Sequence, residues 1–381
     1  MKIVTLSAST GNGHMAAAYA IHSELERRGH YSRVVDVLDH TGRAFRGWYR
    51  GGYEVLVRKK PEFWGTLYRA SDRPRAAYLF QTLLDSAFVE KMRRELEGWD
   101  PDWVLCTHSL PQPALHRWRK ALRFRFAIVV TDLYPQRMWL RGKPDFAFVP
   151  TKWSLDVLQR RDPRLAGLAE VVGIPVDPRF VPADSKSAAR AAAGLEPGLP
   201  TVVLTAGGIG GGPIGPAMEA LRDSLPEAQV VVVCGRNEAA LETARMIAAK
   251  GGPVKFTTTG HVDTETMAGL LQASDLLVAK PGGLTTFEAL GTGTPFVVYR
   301  KFLIPGQEER NALFLRDCGA GTIVDRPAEL GTIVAELLAS PERLAAMSLA
   351  GLAHATPDSA ERIAARLENL SLGAGVTVCD S

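Results

Sequence analysis

The stretch from Lys280 to Asn311 carries the densest chemistry of this chain. It reads Lys-Pro-Gly-Gly-Leu-Thr-Thr-Phe-Glu-Ala-Leu, then an apolar run from Pro295 to Tyr299, then Pro-Gly-Gln-Glu-Glu-Arg-Asn. A strand over Leu276 to Ala279 is expected to run into Gly282 and Gly283, and a helix to begin there. Two glycines let the backbone approach an anion closely, and Thr285 and Thr286 add hydroxyl donors. The first helical turn offers free N–H groups and the positive end of the dipole. This is the local chemistry of a phosphate site. Glu288 follows one turn in, where a carboxylate can accept from the two hydroxyls of a ribose. Gln307, Glu308 and Asn311 form a second polar cluster after the next strand. Together they suggest a nucleotide–sugar pocket. The plainer reading is a helix start with ordinary threonine caps.

A second candidate site lies near the start. Gly11, Gly13 and Ala16 fit G-x-G-x-x-A, with Asp36 about twenty residues later. Taken alone this is a dinucleotide fingerprint. The strand is expected to end near Leu6, however, and a tight Rossmann turn needs its glycine at once. The longer Gly-Asn-Gly loop would instead face its N–H groups into a cleft. His14 opens the next helix, and a histidine has the resting pKa to take a proton from an alcohol. Its plainer role is a bond to nearby backbone. Asp132 is the rival base or the group that orients His14. His108 would line an acceptor cleft or cap a loop.

The elements that must position these groups alternate between strand and helix. Expected strands are Lys2 to Leu6, Tyr31 to Val37, Trp103 to Cys106, Phe126 to Val130 and Phe146 to Val149. A second set is Thr201 to Thr205, Gln229 to Val233, Val254 to Thr257, Leu276 to Ala279, Pro295 to Tyr299 and Gly321 to Val324. Short β-branched runs at helical separations indicate parallel, doubly wound sheets. Pro175, Pro178 and Pro182 stiffen the stretch between the two sets. The expected division is an acceptor- and membrane-binding domain over 1–175, a linker over 176–198 and a nucleotide-sugar domain over 199–356. A helix over 357–372 would return to the first domain, and 373–381 would be a loose tail.

The donor-side segment resembles that of the glycosyltransferases that make monogalactosyl- and glucosyl-diacylglycerol. More distantly, it is similar to the N-acetylglucosaminyltransferase that forms the lipid-linked peptidoglycan precursor. Ser9-Thr10-Gly11-Asn12-Gly13-His14, Val129-Val130-Thr131-Asp132 followed by Trp139, and Gly173-Ile174-Pro175-Val176 extend the resemblance along most of the chain. One position departs from it: Gln136 stands where these enzymes often carry histidine. The resemblance implies an α/β chain of the GT-B type, two doubly wound Rossmann-like domains facing across a cleft. It implies that Glu288 holds the ribose of UDP and that Gln307 and Glu308 face the donor sugar. Gly207, Gly208, Gly210 and Val262 complete the donor side. Gly11, Asn12, Gly13, His108 and Trp139 fall on the acceptor side.

Composition bounds the remaining choices. With 381 residues, 46% hydrophobic and 23% charged, the chain can bury two ordinary cores. Cys106, Cys234, Cys318 and Cys379 are scattered without metal or redox spacing, so a reducing compartment is expected. No signal peptide or membrane span is expected, so the protein would be soluble or peripheral. Charge is uneven: residues 41–75 hold nine basic against three acidic residues, a local +6 in a chain of +4. The same segment carries Phe45, Trp48, Tyr49, Tyr53, Phe63, Trp64 and Tyr68. Basic and aromatic residues together suit an anionic membrane surface. Nucleic acid would use similar ingredients, and a solvated helical face with buried rings is the plain reading. The membrane surface is preferred and no nucleic-acid partner is expected.

The expectation is therefore an inverting glycosyltransferase that moves a hexose from a UDP-sugar to a lipid acceptor, most simply diacylglycerol. It would work peripherally on the inner face of the plasma membrane. UDP-sugar is a substrate rather than a cofactor, and no metal site is expected. Within the fold, the alternatives are a transferase using a prenyl-linked sugar and a hydrolysing UDP-sugar epimerase. Outside it, a nicotinamide-dependent oxidoreductase would use the first loop and Asp36.

Overall fold

Runs of four to six apolar residues that are buried on both faces cannot sit at a sheet surface, so they take its middle. In the computed structural model, β3 (Trp103–Cys106), β5 (Phe146–Val149), β7 (Thr201–Thr205), β8 (Ala228–Val233), β10 (Leu276–Ala279) and β11 (Phe296–Tyr299) are buried at every position. The structure describes residues 1–9, 13–42, 47, 52, 60–72 and 90–373. β1 (Lys2–Ser7), β2 (Tyr31–Asp36), β4 (Arg125–Val129) and β6 (Ala169–Val171) complete a first sheet with β3 and β5. β9 (Val254–Thr259) and β12 (Gly321–Val324) complete a second. The edge strands β2, β9 and β12 mix exposed or half-buried positions among buried ones, as one-sided strands do, and β6 is half-buried throughout.

The chain divides into two units. For the residues described, the first takes Met1–Arg50, Ala70–Asp177 and Thr356–Ser381, and the second Gly51–Arg69 and Pro178–Ala355. Every strand pair is parallel. The first sheet runs β2-β1-β3-β4-β5-β6 and the second β12-β11-β10-β7-β8-β9. Both orders reverse direction once, between β1 and β3 in the first and between β7 and β10 in the second. Helices leave opposite faces at such a reversal, which opens a crevice at the strand C-terminal ends.

Strand ends match the sequence reading to within two residues. The short β6, Ala-Glu-Val, was not expected, because three half-buried residues carry no periodicity. Within the stretch expected as linker, Lys186–Ala192 forms a helix. Asp275 holds it to the sheet: its carboxylate accepts from Arg190 Nη2 at 2.6 Å, Lys186 Nζ at 3.4 Å and the Thr201 amide at 2.8 Å. The helix Ser359–Gly373 lies in the first unit, where Ile363, Ala364 and Leu367 join Ile3, Ile21 and Leu25 in one buried cluster. Glu368 meets His30 Nε2 at 2.8 Å and Arg28 at 3.0 Å beside it. Among the described residues no helix is long and apolar enough to cross a membrane.

Asp275→Ala strands the buried Arg190 guanidinium without its anion. The expected loss is about 3–5 kcal/mol of unfolding free energy. Urea unfolding followed by circular dichroism measures it; a loss below about 1 kcal/mol would mean that Asp275 does not anchor this helix.

Candidate functional site

The first crevice collects polar side chains from three strand ends. His14 lies in the first turn of the helix Gly13–Arg27 that follows β1. Thr107 and His108 follow β3, and Thr131 and Asp132 follow β4. His14 Nδ1 lies 3.1 Å from the Thr107 carbonyl oxygen and 2.6 Å from Thr131 Oγ1. The Thr131 hydroxyl in turn donates to the same carbonyl at 3.2 Å. A carbonyl only accepts, so Nδ1 carries the ring proton and Nε2 presents a bare lone pair. The ring is thus oriented by a backbone carbonyl and a threonine hydroxyl rather than by a carboxylate. Thr107 Oγ1 donates to the His14 carbonyl at 3.0 Å, which ties the two strand ends together.

Burial pushes the His14 pKa below its ordinary value of 6.5; the Asp132 charge and the Thr107 carbonyl pull the other way without overcoming it. His14 is therefore neutral at pH 7. His108 meets it edge-on, with ring centroids 4.6 Å apart, and burial with the neighbouring His14 pushes its pKa well below 6.5. His108 Nδ1 accepts from the Leu110 amide at 3.0 Å, so it caps the turn after β3 as well as flanking His14. Asp132 Oδ2 accepts from the Trp139 indole N–H at 3.1 Å. The expected orienting role of Asp132 on His14 thus falls to Thr107 and Thr131, and Asp132 acts on the ring through its charge. Gly13 begins the helix, while Gly11 and Asn12 lie outside the described residues. Asp36 Oδ1 accepts from the Leu38 amide at 3.0 Å and from the Ser9 amide at 3.3 Å. That carboxylate is engaged in shaping its own turn, which removes the main support for a dinucleotide site.

The second crevice is built from loops after β7, β10 and β11. The helix Gly283–Thr292 starts at Gly282 with no side chain capping it, so its first N–H groups are not taken by a local hydroxyl. Lys280 stands between the two glycine loops. A Cβ at Gly207, which has φ +79°, would lie 2.7 Å from Lys280 Cε, and one at Gly282 would lie 3.7 Å from its ammonium nitrogen. The ammonium pairs with Glu308 Oε1, and Glu308 Oε2 accepts from the Ile304 amide at 2.9 Å. Glu308 is only 3% exposed, so the lysine neutralises a carboxylate that would otherwise be costly to bury. Lys280 was absent from the sequence-derived donor set. The signal was available: a lysine at a strand end, directly before Pro-Gly-Gly.

Several expected donor residues have structural partners. Asn311 Nδ2 donates to the Pro281 carbonyl at 2.7 Å and holds the Pro281-Gly282 turn. The Gly207 amide donates to Thr205 Oγ1 at 3.1 Å, and the Gly210 amide to the Gly207 carbonyl at 2.8 Å. The Gly208 carbonyl accepts from the Arg236 amide at 3.0 Å. Thr286 is wholly buried, whereas Thr285 and Glu288 keep partly exposed faces on the same helix. The expectation of two ligand-facing threonine hydroxyls therefore narrows to Thr285, because one helical step turns Thr286 into the core. Val262 lies in the loop after β9, half-buried. A pocket of about 320 Å³ opens beside Lys280, between Ala206 to Pro213 and Lys301 to Ile304. Gln307 is half-buried and near Trp64, whose indole nitrogen lies 3.5 Å from Gln307 Oε1.

The monogalactosyldiacylglycerol (MGDG) synthase family matches residues 14–176, and glycosyl transferases group 1 matches residues 216–353. A probable chloroplastic monogalactosyldiacylglycerol synthase of Glycine max is 30% identical over 97% of this chain and 71% of its own length. A processive diacylglycerol β-glucosyltransferase of Bacillus pumilus is 26% identical over 91% of this chain and 89% of its own. Among solved structures, the UDP-GlcNAc 2-epimerase of Neisseria meningitidis, bound to UDP-GlcNAc, has a TM-score of 0.63 at 16% identity. That likeness covers 97% of this chain and all of the other, and it extends to the fold alone. Two parallel Rossmann-like units of GT-B type, with a polar crevice at each reversal of strand order, accompany a sequence likeness that runs nearly end to end: the chain belongs to the monogalactosyldiacylglycerol synthase and diacylglycerol glucosyltransferase family of glycosyltransferases.

Proposed function

We propose that this enzyme transfers a hexosyl group from a UDP-sugar to diacylglycerol, or to a glycosyl-diacylglycerol, with inversion at the anomeric carbon. The acceptor hydroxyl gives its proton to His14 Nε2. Its oxygen bonds to the anomeric carbon on the face opposite UDP, and the bond from that carbon to the β-phosphate oxygen breaks. UDP leaves with the electron pair, its charge received by the start of the Gly283–Thr292 helix and by Lys280. Glu288 accepts from the ribose hydroxyls, and Gln307 contacts the sugar. Because protein groups receive the charge, the reading calls for no cofactor or metal.

The observation that carries this reading is the locked tautomer of His14. A base whose Nδ1 proton is held by the Thr107 carbonyl keeps Nε2 ready for an alcohol. The relatives support the acceptor and sugar classes through their names, and the UDP-GlcNAc-bound neighbour supports the donor class. The direct experiment incubates the enzyme with diacylglycerol liposomes and UDP-glucose or UDP-galactose and resolves products by mass spectrometry. Absence of glycosyl-diacylglycerol with every UDP-sugar tried would sink the proposal.

His14→Ala should lower turnover ~10²–10⁴-fold with UDP affinity unchanged. In the wild type, activity requires neutral His14. It should fall as pH drops through the lowered pKa, with an acidic limb centred below 6.5. The limb should vanish in the variant. Near-normal turnover in His14→Ala would transfer the base role to Asp132.

Glu288→Ala removes a charged acceptor from the ribose and should weaken UDP binding by roughly 1.5–3 kcal/mol. Isothermal titration of UDP measures this, and unchanged affinity in a folded variant would remove Glu288 from the site.

We further place the enzyme on the cytoplasmic face of the plasma membrane, held there by the basic, aromatic segment 41–75, most of which lies outside the described residues. Reversal of Arg58, Lys59 and Lys60 to Glu should release it from anionic liposomes at low salt, since each basic residue near such a surface contributes about 1 kcal/mol. Sedimentation checks this. Attachment that ignores both salt and the reversal would assign the segment to the protein interior.

A further inference from the structure

The helix Pro61–Ser71 falls in sequence between stretches of the first unit, yet through Arg69 it belongs to the second. It packs on the loop Pro305-Gly306-Gln307. The two backbones touch. A Cβ at Gly65 would stand 2.6 Å from the Pro305 carbonyl oxygen, and one at Gly306 would stand 2.9 Å from the Gly65 carbonyl oxygen. No side chain fits at either point, so glycine on both sides sets the distance between helix and loop. Neighbouring side chains reach the same loop. Trp64 Nε1 donates to Gln307 Oε1 at 3.5 Å. Arg69 lies 4.0 Å from Glu309, whose carboxylate also accepts from the Gly306 amide. The far side of the helix carries Phe63, which is 53% exposed.

An amide side chain has an accepting end and a donating end. The indole N–H engages Oε1 of Gln307, so Nε2 is the end left to meet a ligand oxygen. We propose that the Pro61–Ser71 helix forms one wall of the donor-sugar subsite, with Trp64 the positioning residue that sets the orientation of Gln307. This rests on the reading of Gln307 as the residue that contacts the transferred sugar. A part of the chain with the composition of a membrane-facing segment thus also shapes sugar recognition, while the nucleotide is held by other residues.

The test compares UDP with UDP-glucose and UDP-galactose, in binding and in transfer to diacylglycerol liposomes. Trp64→Phe keeps the ring and loses the N–H. It should raise the KM for the UDP-hexose about three- to tenfold, the range of one neutral hydrogen bond, with kcat and the Kd for UDP within about twofold of wild type. On a Gln307→Ala background the same change should add no further loss, because the two residues act through one contact. Gly65→Val, which forces helix and loop apart, should act in the same direction more strongly. Equal losses for UDP and UDP-hexose, no change for either, or full additivity with Gln307→Ala would overturn the proposal. Gln307→Ala alone is the separate control: if it leaves UDP-hexose binding and turnover at wild-type values, the reading of Gln307 itself fails, whatever the helix variants do.

Discussion

The strand order within each parallel sheet is the constraint on which both sites depend. In a sheet whose connections all step one way, successive helices cover one face and the strand ends are closed over. Here the second sheet builds outward from β7 to β9, then returns to the other side of β7 with β10. The loops after β7 and β10 must leave in opposite directions, and a gap opens between them. Lys280 stands in that gap; a Cβ at Gly207 would collide with its Cε at 2.7 Å, and one at Gly282 would lie in van der Waals contact with its ammonium. The first sheet makes the same reversal between β1 and β3, and His14 and Thr107 meet across it at 3.1 Å.

The two crevices solve the problem of burying polar groups in different ways. In the first, neutrality is maintained. His14 and His108 are both held below their ordinary pKa by loss of solvent, and backbone groups take one nitrogen of each ring. A neutral, oriented imidazole suits proton acceptance from an alcohol. In the second, charge is maintained. Glu308 is buried with Lys280 against it, and a backbone amide takes its other oxygen. Losing the lysine would leave a buried carboxylate exposed to the full cost of desolvation. The pair therefore keeps an ammonium among glycine loops, where the proposed reaction would deliver the charge of its leaving diphosphate.

Much of this was legible from residue type and order. Largely apolar runs located the central strands, because a strand buried on both faces is apolar at most of its positions. The edge strand β6 was not legible, since three residues with half-buried faces lack a pattern. Glycine pairs at strand ends marked both loops. The individual roles were less legible. Thr285 and Thr286 are chemically alike, and only their positions on the helix surface separate a partly exposed hydroxyl from a buried one. Asn311 and Glu308 read as ligand-facing polar groups, yet one clasps the Pro281 carbonyl and the other the Lys280 ammonium. A polar side chain announces that it needs a partner, and it does not announce which one.

By itself the sequence determined the class of fold, the number of sheets and the kinds of chemistry available, because local periodicity and glycine placement are properties of adjacent residues. Only the tertiary structure decided which residues meet. His14 lies 93 and 117 positions from Thr107 and Thr131, and the three share one hydrogen-bonded cluster. Trp64 and Gln307 lie further apart still. Such partners are set by strand order and by the close approach of backbones at glycine. Both are long-range outcomes of packing two cores, and neither leaves a trace in the spacing of neighbouring residues.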